Sequence, residues 1–178
     1  MRNNIHYITS RLFDSKYINY GFFTKLGGLS NNPFNSLNCS KTSGDNKIKV
    51  KKNIILALTS LGLSNQNLII GKQIHSNKVI YLKKNYNLNK ILTADGFITQ
   101  NKNLVLGILT ADCAPIFFHD SINNTIAAAH AGWKGCLKNI CESVINSMKK
   151  VNCKSKNIKA IIGPCINLKN YEVDKKFY

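Results

Sequence analysis

The sequence predicts a mixed α/β fold, one domain with helices packed on a largely central sheet, and three observations carry that expectation. Leu104–Thr110, "LVLGILT", is a continuous apolar run of the kind a strand buried on both faces requires. "PIFFH" and "TIAAAH" are further apolar stretches, joined by the turn "DSINN". Between Trp133 and Val151, the residues Leu137, Ile140, Cys141, Val144, Ile145, Met148 and Val151 recur three and four apart, the stripe of an amphipathic helix.

The remaining elements follow in chain order. "HYITS" and "YINYGFFTK" are rich in β-branched and aromatic residues and predict strands. "LGGLSNNPFNSLN" combines paired glycines, asparagines and Pro33, and predicts a turn-rich loop. Asp45 is placed to cap a helix reaching Leu61, with Ile48, Ile55, Leu58 and Leu61 on one face and Gly62 closing it. Short strands are expected at Leu68–Ile70 and Lys78–Leu82, with "GKQIHSN" connecting them. Lys83–Lys90 is an exposed excursion, "NIKAIIGP" predicts another buried strand, and "YEV" begins a further element.

A chain of 178 residues, 44% hydrophobic, can bury the core of one domain. No segment approaches the roughly 20 apolar residues of a membrane helix. "MRNNIHYITSRLF" has neither the apolar core nor the cleavage site of a secretory signal, so the expected compartment is the cytoplasm. The six cysteines are then expected to be reduced thiols, and no CxxC pair suggests a zinc ribbon or a redox motif. A net charge of +17 invites a nucleic-acid partner, but the lysines are scattered among Asn and Ile without interleaved aromatics. Specific nucleic-acid binding is therefore not expected, whereas a small anion such as phosphate benefits from the same field.

Chemistry concentrates near Cys113 and His130. If their strands are neighbours, a thiol and an imidazole meet at one sheet edge, where ligand sites commonly lie. The chain then turns through Ala131 and Gly132 into the predicted helix, whose start and Lys134 suit an anion. Metal ligation, a Cys–His nucleophile and a structural core all remain open for this pair. His75, in the polar connection "GKQIHSNKV", adds a third donor, and one thiolate with two imidazoles is an arrangement known for catalytic zinc.

"QIHSNKV", "ADGFIT", "LGILTADCAPIFFHD", "AAAHAGWKG" and "IGPCINLKNYEV", with "FFTKLGGLS" and "SLNCSKTSGDN" before them, resemble in content and order the laccase-domain, or multicopper polyphenol oxidoreductase, family. The resemblance spans about Tyr20 to Val173. It implies that family's layered, cysteine-hydrolase-like fold as one domain over residues 1–178, without the segments with which relatives continue beyond "YEV". It also implies purine nucleoside phosphorylase and adenosine deaminase activity. Purine nucleosides and phosphate are then the partners, in a monomer or homodimer, and the zinc ligands fall on His75, Cys113 and His130.

The other roles follow from position. Asp112 is the candidate catalytic residue, able to orient water or move protons, or else a loop carboxylate binding backbone amides. Gln73 and Ser76 are candidates for a purine edge or ribose, Trp133 for stacking on a base, and Lys134 and Lys25 for phosphate. Lys25 stands where relatives commonly carry arginine, and lysine lacks the bidentate fork. Ile54 likewise replaces an arginine. His119 and His6 are expected to be spectators, and Cys39, Cys136, Cys141 and Cys153 structural. Cys165 lies near the site without an assigned role. Copper is the alternative metal, for polyphenol oxidation, and a metal-stabilised inactive protein is the remaining reading.

Overall fold

The computed structural model describes residues 5–13, 16, 18–87 and 91–175. The start of the expected strand at Tyr17, the end of the 83–90 excursion and both chain termini lie outside the described residues.

The centre is the expected hairpin, β7 (Ala114–Asp120) and β8 (Thr125–Ala131), paired antiparallel from Ala114↔Ala131 to Asp120↔Thr125. Asp120 closes its turn by accepting from the Ile122 and Asn123 amides at 2.9 and 3.2 Å. The five-stranded sheet runs β4 (Val79–Leu82), β5 (Gly96–Thr99), β8, β7, β9 (Lys159–Ile162). Only the β4–β5 pair is parallel. The short strand β5, within "ADGFIT", was not among the sequence-predicted elements, although all four of its residues are buried.

On one face of the sheet Ile98, Ile116, Phe118, Ala127 and Ala129 pack against Ile140, Val144 and Met148 of α3 (Ile140–Lys149). The expected helix from Trp133 is therefore present but split in two. A separate five-residue helix, α2 (Trp133–Leu137), precedes α3, and Asn139 breaks the pair with a left-handed backbone, φ 59°. Leu137 consequently leaves the apolar stripe and is exposed.

The other face is covered by a parallel two-stranded ladder, β3 (Asn67–Ile70) with β6 (Leu104–Gly107). Ile69 and Leu104 pack there against Phe97 and Leu82. Strand β6 is thus shorter than the predicted Leu104–Thr110 and half-buried rather than central, because its apolar run covers the sheet instead of lying inside it. The same correction applies to "NIKAIIGP", since β9 is an edge strand and mostly exposed. "YEV" forms no strand or helix.

The first predicted strands shrink to two residues each, β1 (Tyr7–Ile8) and β2 (Phe22–Phe23), paired antiparallel. Phe22 stacks on Phe117 at 4.7 Å between ring centroids. Helix α1 (Lys47–Ser60) is capped by Asn46, whose side chain accepts from the Ile48 and Lys49 amides, rather than by Asp45. Asp45 instead accepts from Asn38 Nδ2 at 3.0 Å.

The buried face of α1 is Val50, Asn53 and Ala57, while the predicted Ile48 and Ile55 are exposed. Asn53 turns the helix this way. Its amide accepts from Leu29 N–H and donates to Ser30 Oγ, Ser36 O and Asn38 O, so it pins the 26–38 loop. Between α1, β3 and the sheet lies an apolar cavity of about 530 Å³, lined among others by Leu58, Leu61, Ile70 and Phe117. No helix is long and apolar enough among the described residues to cross a membrane.

Candidate metal centre

Residues 74–76 of the connection between β3 and β4 are held to the sheet edge by one carboxylate. Asp95, immediately before β5, is fully buried. Its Oδ1 accepts from the Ile74 and His75 amides at 3.1 and 3.0 Å, and its Oδ2 from the Ser76 amide and hydroxyl at 2.8 Å each. Oδ1 also meets His130 Nδ1 at 2.9 Å. Burial acts to raise the Asp95 pKa, but the hydrogen bonds from His130, Ser76 and Ile74 outweigh it and hold the carboxyl below its ordinary 3.8. An ionised carboxylate only accepts, so His130 donates through Nδ1–H and keeps the Nε2 lone pair for the site.

The donor atoms of His75, Cys113 and His130 lie within 4.8 Å of one another. Cys113 Sγ is 4.0 Å from His75 Nε2, and the two imidazoles stand 4.7 Å apart at 78°. The neighbouring strands that create this meeting are β7 and β8. The expected strand ending at Thr110 plays no part, because Cys113 directly precedes β7, whose first residue faces Ala131. His75 has a left-handed backbone, φ 57°, and its amide bond to Asp95 holds it there.

The structure fits a metal ion in a second respect. A Cβ on Gly132 would come within 2.7 Å of His75 Cδ2 and 3.0 Å of Cys113 Sγ, so the bare backbone leaves the room that the donors need. Because Gly132 has an ordinary φ of −75°, Gly132→Ala tests space alone. It is expected to weaken metal binding at the trio about tenfold or more with the fold intact, as measured by chelator competition and circular dichroism.

The Cys113 pKa is raised, first by burial and then by the charges of Asp112, Cys136 and Asp95. Every one of these influences opposes a free thiolate, which weakens the nucleophile reading, whereas a bound dication deprotonates a ligating thiol.

The remaining predicted residues are placed as follows. Gln73 donates to Leu109 O at 2.7 Å and accepts from Leu109 N–H at 2.9 Å, joining the His75 loop to the segment before Cys113. The Ser76 hydroxyl donates to Asp95. Asp112 is exposed beside Cys113. Trp133 and Lys134 open α2, with Lys134 Nζ 5.3 Å from the Trp133 ring centroid. Lys25 is exposed on the 24–38 loop, where its carbonyl accepts from the Ser36 and Leu37 amides. His119 is buried beside Phe13, ring centroids 5.6 Å apart, and takes no part in the trio.

Sequence reasoning missed Asp95. The signal was available, since it is the only acidic residue between Asp45 and Asp112 and directly precedes the apolar "GFIT".

Asp95 and Asp120 are both fully buried with lowered pKa values, Asp120 by the Asn123 and Ile122 hydrogen bonds, which overcome the effect of burial. A depressed folded pKa contributes stability that is present above the ordinary carboxylate range and lost as pH falls through and below it. Urea midpoints are therefore expected to lose this contribution below about pH 4 and to keep it above.

The family described as multi-copper polyphenol oxidoreductase laccase matches residues 19–178. The chain is 33% identical over 171 residues to the purine nucleoside phosphorylase YlmD of Bacillus subtilis, covering 92% of this chain and 62% of that one. It is 39% identical over 113 residues to a purine nucleoside phosphorylase of Rickettsia prowazekii, covering 64% and 45%. Among solved structures, the hypothetical protein YfiH of Bacillus licheniformis superposes with a TM-score of 0.80 at 30% identity. YlmD of Geobacillus stearothermophilus does so with 0.80 at 28%, and each covers 88% of this chain and 61% of the other. The chain thus spans less than two thirds of the length of these relatives.

Proposed function

Because the chain belongs to the multi-copper polyphenol oxidoreductase laccase family, we propose a function that its His–Cys–His trio can carry: zinc-dependent phosphorolysis of purine nucleosides. Adenosine and inosine are the first substrates and methylthioadenosine a further one, with deamination of adenosine as a second activity. The convergence of His75, Cys113 and His130 at Gly132 carries this reading, in a chain similar to proteins named purine nucleoside phosphorylase.

Zinc held by the three donors supplies Lewis acidity at neutral pH. Asp95 keeps the proton on His130 Nδ1 and so presents Nε2 as the ligand atom. We assign proton uptake and delivery to the Asp112 carboxylate, exposed beside Cys113. Lys134 and Lys25, in a chain of net charge +17, draw in phosphate. Gln73 and Ser76 support the site rather than touch substrate, Gln73 tying the His75 loop to Leu109 and Ser76 holding Asp95. In phosphorolysis a phosphate oxygen bonds to ribose C1′ as the C1′–N9 bond breaks, giving the free base and ribose 1-phosphate. In deamination a water oxygen replaces the C6 amino group, which leaves as ammonia.

Copper oxidation finds less support. A blue-copper centre adds a weak axial thioether to two histidines and a cysteine. Met148 is fully buried in the α3–sheet core, and Met1 lies outside the described residues. Metal analysis of the purified chain, followed by product analysis with adenosine, inosine and phosphate, decides among the readings. About one zinc per chain with free base and ribose 1-phosphate is expected. Visible absorption with copper and polyphenol turnover would overturn the proposal, and bound metal without any nucleoside product would reduce the site to a structural one.

A further inference from the structure

Two thiols, Cys113 and Cys136, converge on the glycine that keeps the metal trio open. Cys113 and Gly132 lie just beyond the end pair of the β7–β8 ladder, Ala114↔Ala131, and so stand opposite each other. The Cys113 sulfur leans across that gap, 3.0 Å from where a Cβ on Gly132 would stand. Because β7 lies between β8 and β9, the thiol turns toward the α2 side and away from Cys165, which follows β9. Gly132 caps α2, and the Cys136 amide donates to its carbonyl at 2.9 Å, which sets Cys136 one turn further on the same helix face. Helical side chains tilt toward the N-terminus and cover the turn before their own Cα. Cys136 therefore covers the Gly132 turn, which the Cys113 sulfur faces from the neighbouring strand. The two sulfurs are near enough for the charge of Cys136 to act on the Cys113 thiol.

Cys136 is also open to reagents. It is exposed, whereas Cys141 packs against the α3–sheet core and Cys153 is buried within it. We propose that Cys113 and Cys136 form a reversible disulfide under peroxide, which withdraws the thiol ligand from the trio and releases the metal. Peroxide enters at the exposed thiol: the Cys136 sulfur takes one oxygen as a sulfenic acid, and the other oxygen leaves as water. The Cys113 sulfur then attacks that sulfur, forms the S–S bond and displaces hydroxide, which a proton converts to water. The two thiols have together given two electrons to the peroxide, and neither sulfur is left as a thiolate donor. Asn139 separates the five-residue α2 from α3, so Cys136 closes on Cys113 without disturbing the α3 core. This inference rests on the metal trio and not on the nucleoside reading.

The test treats the zinc-loaded full chain with hydrogen peroxide. It is expected to release about one zinc per chain to a chromophoric chelator, and dithiothreitol should restore zinc binding. A non-reducing digest read by mass spectrometry should show the Cys113 and Cys136 peptides joined, with two hydrogens lost. Cys136→Ser should bind zinc within about twofold of the parent while reduced, because Cys136 is no ligand. Under peroxide it should lose zinc about fivefold or more slowly, since the exposed point of entry is gone. Cys113 joined to Cys165 instead, or Cys136→Ser losing zinc at the parental rate, would overturn the proposal. So would a zinc-loaded chain that forms the link and keeps its metal. The metal-free chain should form the same link, and its absence there would overturn the thiol pair alone. A reduced chain that takes up no zinc would overturn the metal reading and the release with it, whatever the thiols do.

Discussion

Under the proposed function, Cys113→Ala is expected to abolish stoichiometric zinc binding and reduce nucleoside turnover to background while the chain remains folded. Removing an outer partner of a metal ligand already costs about 10- to 100-fold in affinity, and removing one of three ligands should exceed that. The fold has little at stake, because the thiol is only partly buried and accepts no structural hydrogen bond beyond its 4.0 Å contact with His75. The lost burial is about 1 kcal/mol at most. His130→Ala would be a poorer test, since it also strips Asp95 of a partner. Metal stoichiometry and adenosine-dependent product formation check the outcome, and a Cys113→Ala protein that keeps both would remove the site assignment.

Asp95→Asn should act on the same centre from outside it. The carboxylate receives three backbone amides, one hydroxyl and one imidazole, and an asparagine NH₂ would point a donor at donors. Leaving buried donors unpaired costs about 1–3 kcal/mol each, so a total loss of about 3 kcal/mol is expected in urea unfolding. The chemical consequence is separate from the stability loss. An asparagine oxygen turned toward Ser76 leaves its NH₂ facing His130, which then accepts through Nδ1 and carries its proton on Nε2. That tautomer cannot ligate, and zinc affinity should fall about 10- to 100-fold by chelator competition. Equal zinc affinity in the two proteins would show that Asp95 serves only the fold.

What the sequence made legible and what it hid have distinct causes. The β7–β8 hairpin was readable because seven-residue apolar strands flank a turn of Asp, Ser and Asn. The trio was reachable because histidines in polar loops have little structural reason to be there, as with His75. Strand β5 was hidden because four residues are too few to show a period, and "ADG", whose glycine opens it, reads as a turn. The face of α1 was misread because a polar residue, Asn53, sets it through four hydrogen bonds to a loop about 20 residues away. Periodicity of apolar residues carries no trace of that. The break at Asn139 was equally silent, since the apolar spacing continues across it from Leu137.

The three donors come from three separate parts of the chain, His75 and Cys113 standing 38 positions apart. All six thiols are unpaired, so no covalent bond ties these parts together. An ion at the trio is therefore a cross-link as well as a reagent. It closes one long loop and one short loop, and in chain-entropy terms constrains the unfolded state as a disulfide does, by about 3 kcal/mol per closure. A reduced chain gains in this way a staple that a chelator, rather than a reductant, can remove.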